Sequence, residues 1–183
     1  MNPVFNMFRC ATRKELTQLR RSFDMWGIFE FMESQVIMMK DDRIDRSKHV
    51  LITTKASKCI IDIRVVRPKH VGLAIGELRN KKFTPSLPGA GVIAKFGRNF
   101  PYVLVNEIAE GLVLYGRDIL GESVLEVSKD LCENKKVIIL NQNRESIGVG
   151  QTRFSGKNLF KKGEVTVYTL LDLGMYLRSQ DNQ

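Results

Sequence analysis

A chain of 183 residues that is 43% hydrophobic can bury a sizeable core, as one large domain or two small ones, and it has no apolar stretch near the roughly 20 residues of a membrane span. Its 29 Lys and Arg stand against 20 Asp and Glu, a net charge of +9 that folding does not require and that favours a polyanionic partner, nucleic acid before membrane. Cys10, Cys59 and Cys132 are odd in number, far apart and without CxxC spacing; zinc and a disulfide framework are therefore not expected, and a reducing, cytoplasmic location is.

In chain order, "MNPVFNMFRC" lacks the apolar region of a signal peptide. Thr12 and Glu15 then have the spacing of a capping box. Leu16, Leu19, Phe23 and Trp26 follow at three- and four-residue steps, which predicts a helix with one apolar stripe and Arg13, Lys14, Arg20 and Arg21 off it. "FEFMESQVIMMK" and "HVLITTK" read as strands around a polar turn. "ASKCIIDIR" reads as a short helix with Cys59, Ile60 and Ile63 inward, ending before Pro68, and "HVGLAIGEL" as a strand. Pro85, Pro88 and Gly89 mark "FTPSLPGAGVIAKFG" as a loop followed by a helical turn.

From there the chain reads as richer in strands. "PYVLVNE" and "GLVLYG" are β-prone; "KVIILN", "QNRES" and "IGVGQTRF" make a hairpin; "EVTVYTL" is a further strand, and "LLDLGMYLR" a terminal helix or turn. Short strands this closely spaced predict a small barrel or sandwich. Charge divides the chain as well. Residues 1–108 hold nineteen Lys and Arg against ten Asp and Glu, whereas residues 109–183 hold ten of each. Within the second part acids dominate from Glu110 to Glu133 and bases from Lys135 to Lys162, an edge suited to an anion.

"SIGVGQTRFSGKN" invites a nucleotide-loop reading that its spacing defeats. Five residues separate Gly150 from Gly156 where a P-loop has four, and Asn158 replaces the magnesium-binding hydroxyl. Arg153 occupies the third glycine position of a dinucleotide fingerprint, and too little chain follows for its βαβ unit. The glycines therefore read as strand positions where a Cβ has no room. His49 and His70 lack zinc spacing, and "KDDRID" reads as a solvated turn. The residues argue for no enzyme, no cofactor and no metal.

Three pieces resemble a PUA domain, the RNA-binding module of pseudouridine synthases and archaeosine transglycosylases. They are Tyr115-Gly116-Arg117-Asp118-Ile119-Leu120-Gly121 followed by Val124, "VIILNQNRESIGVGQTRF", and "GMYLR". A small α/β domain ahead of such a module is similar to the Nip-seven family of large-ribosomal-subunit biogenesis proteins, of archaeal type. "VGLAIGELRNKKFTPSL" and "ATRKELTQLRRSFDMWG" carry that likeness. The resemblance implies an α+β chain: an N-terminal α/β domain over 1–108 and a PUA-type pseudo-barrel of mixed strands over 109–183. It implies RNA binding without catalysis in ribosomal RNA maturation, with ribosomal RNA precursors, pre-ribosomal proteins or the RNA exosome as partners. It marks Gly116, Arg117 and Gly121 in the glycine turn, and Arg153, Lys157, Lys161 and Lys162 beside the last strands. Arg144 joins them from the basic run of the hairpin. A translation factor and an RNA-modification accessory protein are the alternatives.

Overall fold

The structure, a computed structural model, describes residues 8–42, 47–60 and 70–178. Its contacts divide into two units, Met1–Gly89 and Ala90–Gln183. In the first, five strands form an antiparallel meander: β1 (Phe8–Cys10), β2 (Val36–Asp41), β3 (Lys48–Thr53), β4 (Leu73–Arg79) and β5 (Lys82–Pro85). Helices α1 (Arg13–Met25) and α2 (Phe29–Glu33) lie between β1 and β2, and α3 (Lys55–Ile60) follows β3. The expected inward placement of Cys59, Ile60 and Ile63 and the stop at Pro68 lie outside the described side chains and residues.

The capping box forms: Glu15 N–H donates to Thr12 Oγ1, and Thr12 N–H donates back to the Glu15 carboxylate at 2.9 Å. Leu19, Phe23 and Trp26 are buried as the stripe predicts, and Phe23 meets Phe83 edge-on with centroids 5.5 Å apart. Leu16 differs, being 41% exposed. It follows Glu15, the carboxylate that has taken the first buried place beside Leu19, Phe23 and Trp26, by one residue, about 100° round the helix.

Two segments depart from expectation. Phe29–Glu33 is helical, and the strand begins only at Val36; Ile28 and Met32, four residues apart, are the buried pair that holds the turn. The expected loop "FTPSLPGAGVIAKFG" contains β5 and a ten-residue helix, α4 (Leu87–Phe96). Ser86 Oγ accepts the Gly89 N–H at 3.3 Å, and Pro88 falls in the first turn, where no intrahelical N–H is needed. A Cβ on Gly89 would lie 1.8 Å from the Ile75 carbonyl oxygen, so this glycine permits helix–strand contact rather than a bend. Asn80 and Lys81, both at positive φ, form the two-residue turn between β4 and β5.

The second unit contains β6 (Tyr102–Val105), α5 (Glu107–Leu114), β7 (Ile119–Leu120), β8 (Val124–Val127), β9 (Lys136–Leu140), β10 (Ser146–Thr152), β11 (Val165–Asp172) and α6 (Met175–Arg178). The sheet runs β7-β11-β10-β9-β6-β8, antiparallel except for β6 with β9. Its two edge strands, β7 and β8, are joined by one 3₁₀ turn, Gly121–Ser123. The chain itself thus draws the edges together, and the sheet wraps one core that includes Val103, Val105, Val137, Ile139, Ile147 and Val167. The α+β class with a mixed-strand pseudo-barrel is the observed one.

Contrary to expectation, "GLVLYG" is not a strand but belongs mostly to α5. Asn106 accepts the Ala109 N–H at 2.9 Å, and Glu107 and Glu110 sit in the first turn, where the helix dipole favours acids. Ala109 and Val113, four apart, turn into the core. β6 belongs to this sheet, and the contacts divide between Gly89 and Ala90, inside α4. No helix among the described residues is long and apolar enough to cross a membrane.

The β9–β10 hairpin forms as expected, with Ile139 opposite Gly148 and Val137 opposite Gly150. A Cβ on Gly148 would lie 2.5 Å from the Leu171 carbonyl oxygen, and one on Gly150 would lie 2.8 Å from Val167 Cγ1. The glycines make room for the barrel's own interior. Gly150→Ala is therefore expected to destabilise this unit by about 2 kcal/mol through overpacking, read as a lower denaturant midpoint. An unchanged midpoint would mean that the site tolerates a methyl group.

Candidate nucleic-acid interface

Helix α5 ends in a Schellman motif. Gly116 N–H donates to the Val113 carbonyl at 2.8 Å, and Arg117 N–H to that of Leu112 at 3.1 Å. Gly116 holds φ +73°, the left-handed conformation this ending requires. The chain then turns back along β11. Thr169 Oγ1 donates to the Arg117 carbonyl and Thr169 N–H to Asp118 Oδ1, both at 2.8 Å. The backbone of Arg117 is thus fixed while its exposed side chain makes no hydrogen bond or ion pair among the described residues. At this end one guanidinium nitrogen of Arg178 donates to both Asp172 carboxylate oxygens, at 2.9 and 3.0 Å, and the other terminal nitrogen donates to the Leu114 carbonyl.

Four strand steps further on, roughly 13 Å away, Val165 pairs with Leu120 and the second group of expected residues begins. Gly121 is buried, and a Cβ there would lie 2.2 Å from the Lys161 carbonyl oxygen. It is the contact on which the 3₁₀ segment Gly156–Phe160 and its basic residues are seated. Arg153 donates weakly to the Val165 carbonyl at 3.4 Å and lies over Phe154 at 5.2 Å. Lys157 is exposed and unpaired among the described residues. Lys161 pairs with Glu164. Lys162 stands near Glu122, whose carboxyl is held below its ordinary range chiefly by the Gly163 N–H it accepts, with Lys162 adding to the effect.

Arg144 is elsewhere. The seven residues of β10 place it at the opposite end of the strand from Arg153, roughly 20 Å away. There it pairs with Glu126 at 2.8 Å and stacks 5.7 Å from the Tyr102 ring. The Tyr102 hydroxyl donates to Glu126, and that bond, then burial, pushes its pKa up. The structure therefore brings Gly116 and Arg117 to one end of the β7–β11 edge and Gly121, Arg153, Lys157, Lys161 and Lys162 to the other. The supporting Thr169, Asp118 and the Asp172–Arg178 pair were not singled out from sequence; the D-L-G-M-Y-L-R run held the last pair without a spacing that reveals it. Among the described residues no three His, Cys, Asp or Glu side chains are placed to hold a metal.

In the first unit, Arg13, Lys14, Arg20 and Arg21 are exposed on α1, with Arg20 4.8 Å over Phe29. A concavity of about 650 Å³ beside them is lined by Arg13, Leu16, Thr17, Arg20, Phe29 and Val36, among others.

A mixed six-stranded pseudo-barrel whose edges meet at a 3₁₀ turn, with a glycine turn closing one helix against the last strand, is a PUA domain. The family model described as UPF0113 PUA domain matches residues 101–181. The chain belongs to the UPF0113 family: it is 33% identical over 175 residues to a UPF0113 protein of Archaeoglobus fulgidus, covering 94% of this chain and 95% of the relative. It is 23% identical over 142 residues to the 60S ribosome subunit biogenesis protein nip7 of Schizosaccharomyces pombe, covering 76% and 78% of the two chains. The crystal structure of a PUA domain protein from Aeropyrum pernix has the same fold at 16% identity, with a TM-score of 0.65 over 97% of this chain and 91% of that one.

Proposed function

We propose that this protein is a non-catalytic RNA-binding factor of ribosome biogenesis, of the archaeal Nip-seven type. In this reading it acts in the cytoplasm on ribosomal RNA precursors of the large subunit. The observation that carries the reading is a PUA domain whose β7–β11 edge presents unpaired Arg117 at one end and Arg153 with unpaired Lys157 at the other. Likeness to the nip7 protein supports the ribosomal context. The nearby carboxylates are engaged in structure, Asp172 with Arg178, Asp118 with the Thr169 N–H and Glu122 with the Gly163 N–H, which suits a binding surface better than acid–base chemistry. Pre-ribosomal proteins are the protein partners this role calls for; an exosome association rests on the family resemblance alone.

Arginine can pair two-pronged with phosphate and stack on bases, while lysine supplies a mobile charge. Replacing Arg153 and Lys157 together by alanine is expected to weaken binding to a ribosomal RNA fragment by about tenfold at moderate salt and to lower the salt slope by about 2. The melting temperature should hold, since both side chains are exposed or nearly free of partners. Unaltered affinity and slope in an anisotropy titration would remove the basic end from the site.

A further inference from the structure

Leu16 is the one residue of the α1 apolar stripe that the core leaves out, and it lines the concavity of about 650 Å³ beside that helix. Three elements surround this recess. Helix α1 brings Leu16 and Arg20, and α2 brings Phe29 and Glu33. The third is the junction of β1 with β2, where the Ala11 N–H donates to the Ile37 carbonyl at 3.1 Å. Phe29, Val36 and Ile37 are only half-buried, so with Leu16 they leave apolar surface open to water in one hollow. No buried polar side chain among the described residues lines it. The volume falls within the roughly 300–1,000 Å³ of ligand pockets, yet a small polar ligand would find nothing fixed to orient it.

The rim is basic. Arg13 and Arg20 line the recess, and Lys14 and Arg21 stand exposed on the same helix. The Arg13 side chain has no partner among the described residues. Arg20 lies 4.8 Å over the Phe29 ring and 3.8 Å from Glu33. The two side chains of that ion pair are 68% and 61% exposed, so the pair contributes little and exchanges readily. A guanidinium stacked by its face keeps the donors along its edge for a carboxylate. Glu33 is the one carboxylate lining the recess among the described residues. The charge of the rim therefore favours an acidic occupant, and its apolar interior favours one with large apolar side chains.

We propose that this recess receives a short, acidic, amphipathic helix of a partner protein. Large apolar side chains spaced three or four residues apart enter beside Leu16, Phe29 and Val36, and carboxylates on the flanks of that helix meet Arg13 and Arg20. The inference goes beyond the RNA-binding reading and stands without it, since that reading concerns the second unit. An RNA strand would use the cations but leave Leu16 and Val36 in water, whereas an acidic amphipathic helix engages both. Charge steers the encounter, and the apolar anchors set how long the complex lasts.

The test is selection of phage-displayed random peptides of about sixteen residues on the full-length protein, followed by synthesis of the enriched ones. These should carry net negative charge and large apolar residues three or four apart. In anisotropy titrations Leu16→Asp, and separately the double variant Arg13→Glu/Arg20→Glu, should each weaken a selected peptide by about tenfold. Melting temperatures should hold, because all three side chains are exposed. RNA affinity should hold in Leu16→Asp, so that peptide binding and RNA binding are read separately. Cys10 gives a local readout, being exposed and lining the recess, with exposed Cys132 of the second unit as the control. Bound peptide should slow alkylation of Cys10 and leave that of Cys132 unchanged, read by mass spectrometry. No enrichment, or enrichment of neutral or basic peptides, would overturn the proposal. So would peptides that bind both variants as tightly as wild type and leave Cys10 as reactive as before. A single-stranded RNA oligonucleotide that protects Cys10 and loses affinity in Arg13→Glu/Arg20→Glu would give this face to nucleic acid and overturn it equally.

Discussion

Replacing Glu15 by alanine is expected to cost the first unit about 3 kcal/mol, because it strands partners that a buried carboxylate holds together. The Glu15 side chain is only 6% exposed. Its two oxygens accept from Arg9 at 2.7 and 2.8 Å, from Lys48 at 2.6 Å, and from the Thr12 N–H and hydroxyl at 2.9 Å. Arg9 reaches on to Asp41 at 2.9 Å. One carboxylate thereby ties the start of α1 to β1, β2 and β3. Arg9 and Lys48 are part-exposed, at 31% and 40%, so water recovers some of the loss, and the figure sits at the low end for a broken buried pair.

The Arg9 bond holds the Glu15 carboxyl far below the usual carboxylate range, against the opposing pull of burial. A depressed folded pKa gives stability that is full above the unfolded value near 4.3 and is lost as pH falls through the folded value. The gap between wild type and Glu15→Gln should therefore be largest at neutral pH and narrow steadily below about pH 4. Trp26 offers a local readout, being the one tryptophan of the chain and fully buried in this unit. Denaturant unfolding followed by its fluorescence at pH 7 and pH 3 checks both parts. A wild-type-like midpoint for Glu15→Ala at pH 7 would show that the network contributes no net stability.

Glu15 also shows what a sequence conceals. The capping box was legible because both of its residues lie in one local pattern. That its glutamate would be buried under an arginine six residues back and a lysine 33 residues on was not. The same division holds elsewhere. The β9–β10 hairpin, β11 and the α1 stripe were legible because local alternation or a helical period encodes them. Helix α4 was not, since Pro88 and Gly89 signal a loop until the capping Ser86 and the approach to Ile75 are seen. Helix α5 was read as β-prone in its second half because Leu, Val and Tyr suit either state, and only its packing of Ala109 and Val113 into the barrel decides. In the site, glycines and basic residues were legible as types. The separation of Arg144 from Arg153 follows from strand length, and the hold of Thr169 on Arg117 and Asp118 follows from a crossing of two distant segments.

Gly121 joins fold and site most directly, and substituting it should affect both. The Cβ of an alanine would lie 2.2 Å from the Lys161 carbonyl oxygen and 2.6 Å from its nitrogen, main-chain atoms that cannot rotate away. Lys161 would have to retreat by more than an ångström. That movement strains the Gly121 N–H bond to the Glu164 carbonyl, now 3.0 Å, and lifts the segment that seats fully buried Leu159 in the core. Overpacking together with a weakened hydrogen bond makes a loss of about 3 kcal/mol the expected outcome for Gly121→Ala. Lys157 and Lys161 ride on the same segment, so RNA affinity should fall along with stability, whereas Lys157→Ala should lower affinity alone. Amide exchange across Gly156–Phe160 and an RNA titration on both variants separate the two effects. Weakened RNA binding with exchange and melting unchanged in Gly121→Ala would mean that this glycine meets RNA directly. Faster exchange in the 3₁₀ segment would mean that it acts by seating the lysines.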